Sequence, residues 1–184
     1  ELNTETVYYN SLISLRDEDN NQTSFRSLAN IYAGYKIFKD LTFKSEFGTD
    51  IYDLREKNFW GRKTITGGPA GEAQNRSVRV INYNWENYLT YVKTLGVHHI
   101  NLVGGMSYQQ SNSIGSNIVG KGFPTDDFTN IDNAAEVTTF GGWEEATSYL
   151  SYFARANYKI NEKYFFTLSG RVDGSSRFGV DNRF

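Results

Sequence analysis

The chain of 184 residues has no cysteine, two prolines, one methionine and two histidines. Without cysteine it has neither a disulfide framework nor a thiolate metal site. Its histidines, His98 and His99, are adjacent. On a strand, neighbouring side chains point to opposite faces, so the pair is badly placed to chelate one ion, and no metal site or cofactor is expected. No segment approaches the ~20 apolar residues of a membrane-spanning helix. The mean hydropathy of -0.55 fits that lack, but leaves β-barrels open, because barrel strands hide apolar residues in alternation. Nineteen basic and 21 acidic residues give a formal charge of -2, which leaves no basic stripe and so no nucleic-acid footprint. The opening Glu1-Leu2-Asn3-Thr4-Glu5-Thr6 has neither a basic start nor an apolar run. It carries no signal peptide, as expected of an exported chain that is processed or truncated.

What is abundant is aromatic: 13 Tyr, 13 Phe and 3 Trp, with 17 Gly. A chain rich in Tyr and Phe and poor in Pro favours β-structure. Three tight turns are predicted, at Lys39-Asp40, Leu95-Gly96 and Asn161-Glu162, each between runs of β-formers. Periodicity supports the strands. Over 41–52, Leu41, Phe43, Phe47 and Ile51 fall on one face, opposite Lys44, Glu46 and Asp50. Over 150–160, Leu150, Tyr152, Ala154, Ala156, Tyr158 and Ile160 oppose Ser151, Phe153, Arg155, Asn157 and Lys159. Over 164–173, Tyr164, Phe166, Leu168, Gly170 and Val172 oppose Phe165, Thr167, Ser169, Arg171 and Asp173. A period of two with one charged face marks a half-buried strand. Segment 100–109 behaves similarly, 25–38 alternates less cleanly, and 77–94 alternates worst.

The tight turns all fall at one end of the sheet, and the other connections, near 54–76 and 111–147, are predicted to be long. Short turns at one rim and long loops at the other are the asymmetry of outer-membrane barrels. Strands of about 11–17 residues also exceed the globular mode of about 5–6. Tyr158, Tyr164, Phe38 and Phe43 lie beside the short turns, where an interfacial aromatic girdle belongs. The expected fold is therefore all-β: an antiparallel up-and-down transmembrane β-barrel segment of about six strands in three hairpins. An open sheet leaves backbone groups unpaired in hydrocarbon, so the six strands require neighbours outside residues 1–184.

The C-terminal stretch Lys163-Tyr164-Phe165-Phe166-Thr167-Leu168-Ser169-Gly170-Arg171-Val172-Asp173-Gly174-Ser175-Ser176-Arg177-Phe178-Gly179 carries a resemblance. It is similar to a barrel strand of the SusC/RagA family of TonB-dependent outer-membrane transporters, with Arg171 and then Asp173 to Gly179 matching position by position. Ala154-Arg155-Ala156-Asn157-Tyr158 resembles the preceding strand, and the Trp85-Glu86-Asn87 and Gly104-Gly105 strands resemble an earlier hairpin. The family's N-terminal domain, TonB box and plug have no counterpart in these residues. The resemblance implies import of oligosaccharides, or peptides, across the outer membrane. It implies as partners a SusD-like surface lipoprotein, the TonB–ExbB–ExbD system through parts outside this chain, and outer-membrane lipid.

No reaction is expected, so no catalytic residue is assigned. The candidate ligand contacts are loop aromatics and acids: Trp60, Phe123, Asp126, Asp127 and Trp143. Adjacent carboxylates such as Asp126 and Asp127 do not face each other across a bond as a glycosidase pair must. The Gly67-Gly68-Pro69-Ala70-Gly71 run lacks the Lys-Ser/Thr of a phosphate loop. Arg171, Asp173, Gly174, Ser175, Ser176, Arg177, Phe178 and Gly179 are expected to be structural, with Arg171, Asp173 and Arg177 on one inward face if the strand stays regular. The rival reading is a soluble β-sandwich that binds carbohydrate. It requires Phe47, Ile51, Leu102, Phe166 and Leu168 to pack into a protein core, whereas the barrel turns them to lipid.

Overall fold

A computed structural model describes residues 11–179. A short helix, α1 (Ser11–Asp17), leads into β1 (Glu18–Phe38), β2 (Leu41–Trp60), β3 (Glu72–Leu95) and β4 (His98–Lys121). A single 3-10 turn (Ile131–Asn133) precedes β5 (Glu136–Ile160), and β6 (Tyr164–Ser175) closes the series. The strands form one six-stranded sheet in chain order, β1 to β6. Sequential order with two- or three-residue reversals is the up-and-down meander expected of a barrel wall.

The short turns form as the residue types require, with one shift. Strand β3 continues through Leu95, so the second turn is Gly96-Val97 rather than Leu95-Gly96, and Gly96 takes φ +59°. Glycine adopts that left-handed conformation without steric cost. The third turn places Asn161 and Glu162 both at positive φ, 54° and 55°, and Lys163 N–H donates to the Ile160 carbonyl at 3.1 Å. Two successive left-handed residues match the twist of the flanking strands.

The larger correction concerns the connections. Much of 54–76 and 111–147, read from sequence as loop, is strand, leaving 61–71 and 122–135 as the connections. Strand β5 is 25 residues long, and β3 and β4 are 24 each. About 9–11 tilted residues cross a bilayer, so the ladder outruns the apolar pattern. Beyond the membrane both faces meet water and the period-two signal fades, while backbone pairing continues. Strand β3, whose pattern alternates worst, nevertheless runs unbroken.

The chain divides into two compact units. The first gathers residues 11–26 with 52–80 and 113–144. It holds the buried apolar cluster of the described residues: Phe59, Ala73 and Phe123, with Ile131 and Ala134 packed against it. The second contains 27–51, 81–112 and 145–179. Its β5–β6 register sorts the side chains by face. Tyr152 lies opposite Val172, Ala154 opposite Gly170, Ala156 opposite Leu168, Tyr158 opposite Phe166 and Ile160 opposite Tyr164. The alternate pairs are Ser151–Asp173, Phe153–Arg171, Arg155–Ser169, Asn157–Thr167 and Lys159–Phe165. One face is thus apolar throughout and the other largely polar, as the periodicity predicts.

Among the described residues, no protein layer covers the apolar face. Leu168 is 76% exposed, Phe166 60%, Phe47 43% and Leu102 42%. A soluble sandwich would bury these side chains against a second sheet. Burying a Leu or Phe side chain contributes about 1.5–3 kcal/mol, so leaving a whole face of them in water forfeits the main driving force of folding. In a bilayer that same face is solvated by hydrocarbon.

Candidate functional site

The candidate ligand contacts of the first unit fall into two groups. The cluster at the base of the connections is fastened by backbone bonds. Phe123 N–H donates to Ala70 O at 2.8 Å, and Ala135 N–H to Gly122 O at 3.1 Å. Gly71 and Gly122 permit these approaches at φ +77° and +81°. Phe123 is 4% exposed and meets Phe59 edge-to-face, with centroids 5.1 Å apart. Its ring is spent on packing and offers no face for stacking. Asp126 is also committed: it accepts from the Arg62 guanidinium at 3.0 Å and the Arg62 backbone N–H at 3.2 Å. Asp127 is exposed, and its backbone N–H bonds Thr125 Oγ1 at 3.1 Å. One carboxylate is therefore a brace and the other a free surface acid, and nothing pairs them for acid–base chemistry. Trp60 ends β2 and is half-buried.

Trp143 is placed differently. A Cβ added at Gly115 would meet three indole atoms of Trp143 at 2.6–2.9 Å, so the ring rests against bare backbone that only glycine leaves open. Its side chain is still 49% exposed. A rigid indole with one side supported and the rest accessible has the geometry that a stacking contact requires. Trp143 was legible as an aromatic at the foot of the 111–147 connection; Gly115, which seats it, was not. Nearby, Asp53 bonds Arg79 at 2.7 Å and Arg55 at 3.3 Å. Asp53 is the thirteenth residue of β2, beyond a spanning length, and the Arg79 guanidinium holds its carboxyl below the usual carboxylate range. Glu72 beside Lys121, at 2.9 Å, raises the ammonium above its ordinary value. These pairs fix the strand ends in register; being exposed, each contributes little to stability.

In the second unit the C-terminal motif acts as a fastener. Arg171 donates to Asp173 at 2.6 Å and to Ser151 Oγ at 3.0 Å, and Ser151 Oγ donates to Asp173 at 2.5 Å. Ser151 is buried, so this triangle satisfies a hydroxyl that would otherwise be stranded. Gly174 and Ser175 are buried as well. Ser176 locks the strand end reciprocally: its N–H donates to Ser148 O at 2.9 Å, and its Oγ accepts from Ser148 N–H at 2.8 Å. Arg177 does not extend the Arg171–Asp173 ladder. Strand β6 ends at Ser175, so the alternation lapses, and Arg177 reaches Glu145 at 2.7 Å instead. Phe178 is exposed, and its N–H donates to Ser175 O at 3.3 Å. Gly179, also exposed, is the last described residue.

No family model matches the chain. Among curated proteins, it is 34% identical over 159 residues to TonB-dependent receptor P3 of Formosa agariphila, covering 85% of this chain and 16% of that receptor. It is 32% identical over 171 residues to the TonB-dependent receptor SusC of Bacteroides thetaiotaomicron, covering 93% of this chain and 17% of SusC. Among solved structures, the RagAB peptide transporter superposes with a TM-score of 0.85 at 24% identity, over 91% of this chain and 19% of that one. The chain is a barrel segment of the SusC/RagA family of TonB-dependent transporters.

The chain spans about a sixth of the length of the curated relatives it matches. As part of a SusC/RagA outer-membrane barrel, the segment turns the apolar face of Tyr152, Ala154, Ala156 and Leu168 to lipid. Its polar face turns to the lumen. His98, Tyr158 and Phe166 run as a row beside the short turns, with centroids 5.9 Å and 6.2 Å apart and the His98 ring parallel to Tyr158 within 7°. His98 Nδ1 lies 2.6 Å from the Tyr158 hydroxyl. Amphipathic rings are favoured at that depth, where one end is apolar and the other wet.

Proposed function

We propose that the protein containing this segment imports oligosaccharides across the outer membrane, driven through TonB and capped by a SusD-like lipoprotein. Residues 11–179 contribute barrel wall and two outward connections, and the plug and TonB-contacting parts belong to other portions of the polypeptide. The observation that carries the reading is the uncovered apolar face on β5 and β6, backed across the sheet by polar side chains. Such a wall separates lipid from a hydrated passage. The Trp143 platform on Gly115 supports a sugar rather than a peptide cargo, because the apolar face of a pyranose stacks on a flat indole. Trp60 and Asp127 are secondary contacts, and Phe123 and Asp126 hold the connections in shape. The relatives whose names describe an activity are receptors and transporters, and the reading invokes no chemical step.

The test is uptake of fluorescent oligosaccharides by cells expressing the full-length protein, with and without a functional TonB. Energised accumulation, together with an outer-membrane band whose mobility shifts on boiling, is the expected result. TonB-independent uptake, or a soluble band, overturns the reading.

A further inference from the structure

Within the second unit the side chains of the lipid face are not of even height, and a groove of about 560 Å³ opens among them. Gly104, Ala154, Ala156 and Gly170 form its floor, and Leu89, Tyr91, Leu102 and Leu168 stand as its walls. The ladder explains the shape, since Ala154 lies opposite Gly170 and Ala156 opposite Leu168. Val103, Arg155 and Ser169 also edge the groove. They alternate with the floor residues along β4, β5 and β6, where hydrogen and methyl side chains leave the intervening backbone bare. Arg155 and Ser169 are paired on the opposite side of the sheet, so they meet the groove through main chain.

Ring contacts fix the face. Phe47, Tyr83 and Tyr108 cross β2, β3 and β4 with centroids 6.3 Å apart. His98, Tyr158 and Phe166 cross β4, β5 and β6 in the same way. Leu102 and Gly104 lie an even number of residues from both His98 and Tyr108, and Leu89 and Tyr91 an even number from Tyr83. Side chains at even separations along a strand share a face. That is the face of Phe166 and Leu168, the one turned to lipid.

Depth and charge point to what fills it. Strand β6 begins at Tyr164, so Gly170 lies about 15 Å in from the rim on a strand tilted about 40°. The apolar band of a barrel is about 25 Å tall. The groove therefore occupies the half nearer the short turns, which is the reach of an acyl chain of one leaflet. At its foot, Lys163 Nζ sits over the Tyr164 ring, 5.5 Å from the centroid, and Tyr164 shares the face of Phe166 and Leu168. Glu162, in the same turn, is taken by Lys159 at 3.3 Å, and Lys93 is held by Asp40. Lys163 has no carboxylate partner among the described residues. An unbalanced ammonium at the lipid-side rim complements a lipid phosphate.

We propose that this groove is a binding site for one phospholipid of the leaflet on the short-turn side, with an acyl chain along Ala156 and Ala154 and the phosphate at Lys163. Elsewhere on the wall an acyl chain meets projecting side chains on one side only. Here it lies between Leu102 and Leu168 against bare backbone, and gains dispersion contacts on three sides. The site rests on the membrane face of the segment and not on the nature of the cargo.

The experiment uses the full-length transporter purified in a maltoside detergent and titrated with phosphatidylglycerol carrying a diazirine half-way along one acyl chain. After illumination, labelled peptides are located by mass spectrometry, with plain phosphatidylglycerol as competitor. Saturable labelling concentrated on the peptides that contain Ala154, Ala156 and Gly170 is expected. The double variant Gly104→Leu, Gly170→Leu fills the groove. An added Cβ meets nothing within 4 Å at Gly170 and only the Phe153 carbonyl, at 3.9 Å, at Gly104, so the wall accommodates both, and heat-modifiable mobility verifies folding. This variant should lose the saturable label by about tenfold. Lys163→Gln should raise the half-saturating lipid concentration about fivefold, whereas Lys159→Gln, on the other face, should leave it unchanged. Uniform, non-saturable label over the apolar face overturns the proposal, as does a folded double variant labelled like wild type. Label that reaches the groove only after paired barrels are dissociated also overturns it, and gives the groove to a second copy. The groove faces away from the lumen, so none of these outcomes decides the transport reading, which stands or falls on uptake.

Discussion

Leu168 and Ser169 are neighbours on β6 whose fates under one substitution should differ sharply. Leu168 lies opposite Ala156 on the uncovered face and Ser169 opposite Arg155 on the other. Leu168 is four residues from Tyr164, where β6 begins. At roughly 3.3 Å per residue along a strand tilted about 40°, that places it some 10 Å below the rim of an apolar band about 25 Å tall, close to its middle. An arginine at that depth on the lipid face costs about 2–4 kcal/mol. Were the same side chain, 76% exposed, bathed in water, Leu168→Arg would change stability by no more than about 0.5 kcal/mol. Ser169→Arg, directed to the lumen, should stay within about 1 kcal/mol of wild type. The assay is equilibrium unfolding of the full-length barrel from phospholipid vesicles in guanidinium, followed by the fraction of heat-modifiable band. A Leu168→Arg cost no larger than that of Ser169→Arg would refute the assignment of faces.

Three further outcomes follow from local geometry. Gly115→Ala places a methyl group 2.6 Å from the Trp143 indole, so it should dislodge the ring, shift tryptophan emission and weaken ligand binding without unfolding the barrel; unaltered emission and affinity would remove the platform. Glu162→Gly relieves a side chain held at φ 55° and should stabilise the hairpin by about 1 kcal/mol, even though it deletes the surface contact of Lys159 with Glu162; a lower unfolding midpoint would contradict this. The Asp53 carboxyl, depressed by Arg79 from its ordinary value of 3.8, contributes a small stabilisation that is complete above that ordinary value. The contribution falls away as pH drops through the depressed one. Wild type and Asp53→Asn should therefore differ most at neutral pH and converge below about pH 4 in unfolding titrations; a gap that widens on acidification would reverse the sign.

How much of this was legible in the sequence depended on which solvent each residue meets. Where one face is lipid, as from Tyr152 to Ile160 and Tyr164 to Val172, the hydrophobic alternation reports the faces residue by residue. Where both faces meet water, as in Ser111 to Lys121 or Glu136 to Gly142, the same ladder leaves no alternating trace, and the strands read as loop. Phe123 illustrates a second limit. An aromatic in a Gly- and Asp-rich segment looks like a ligand contact until Phe59, 64 residues earlier, is seen against it. The motif around Asp173 was recognisable as a unit, but its partners Ser148 and Ser151 belong to another strand and carry no local mark.

The length of β2 to β5 has a consequence for how such a transporter changes over time. Lipid-facing residues near the short turns must satisfy hydrocarbon thickness and insertion, so their variation is confined to apolar exchange. The far portions of the same strands are held by backbone pairing and by local charge pairs such as Asp53–Arg79 and Glu72–Lys121, and owe nothing to lipid. Selection for a new cargo can act there by replacing side chains on a standing scaffold, with no loop to reorder and no change to the part that inserts. Recognition and membrane residence are thus separable traits written along a single strand.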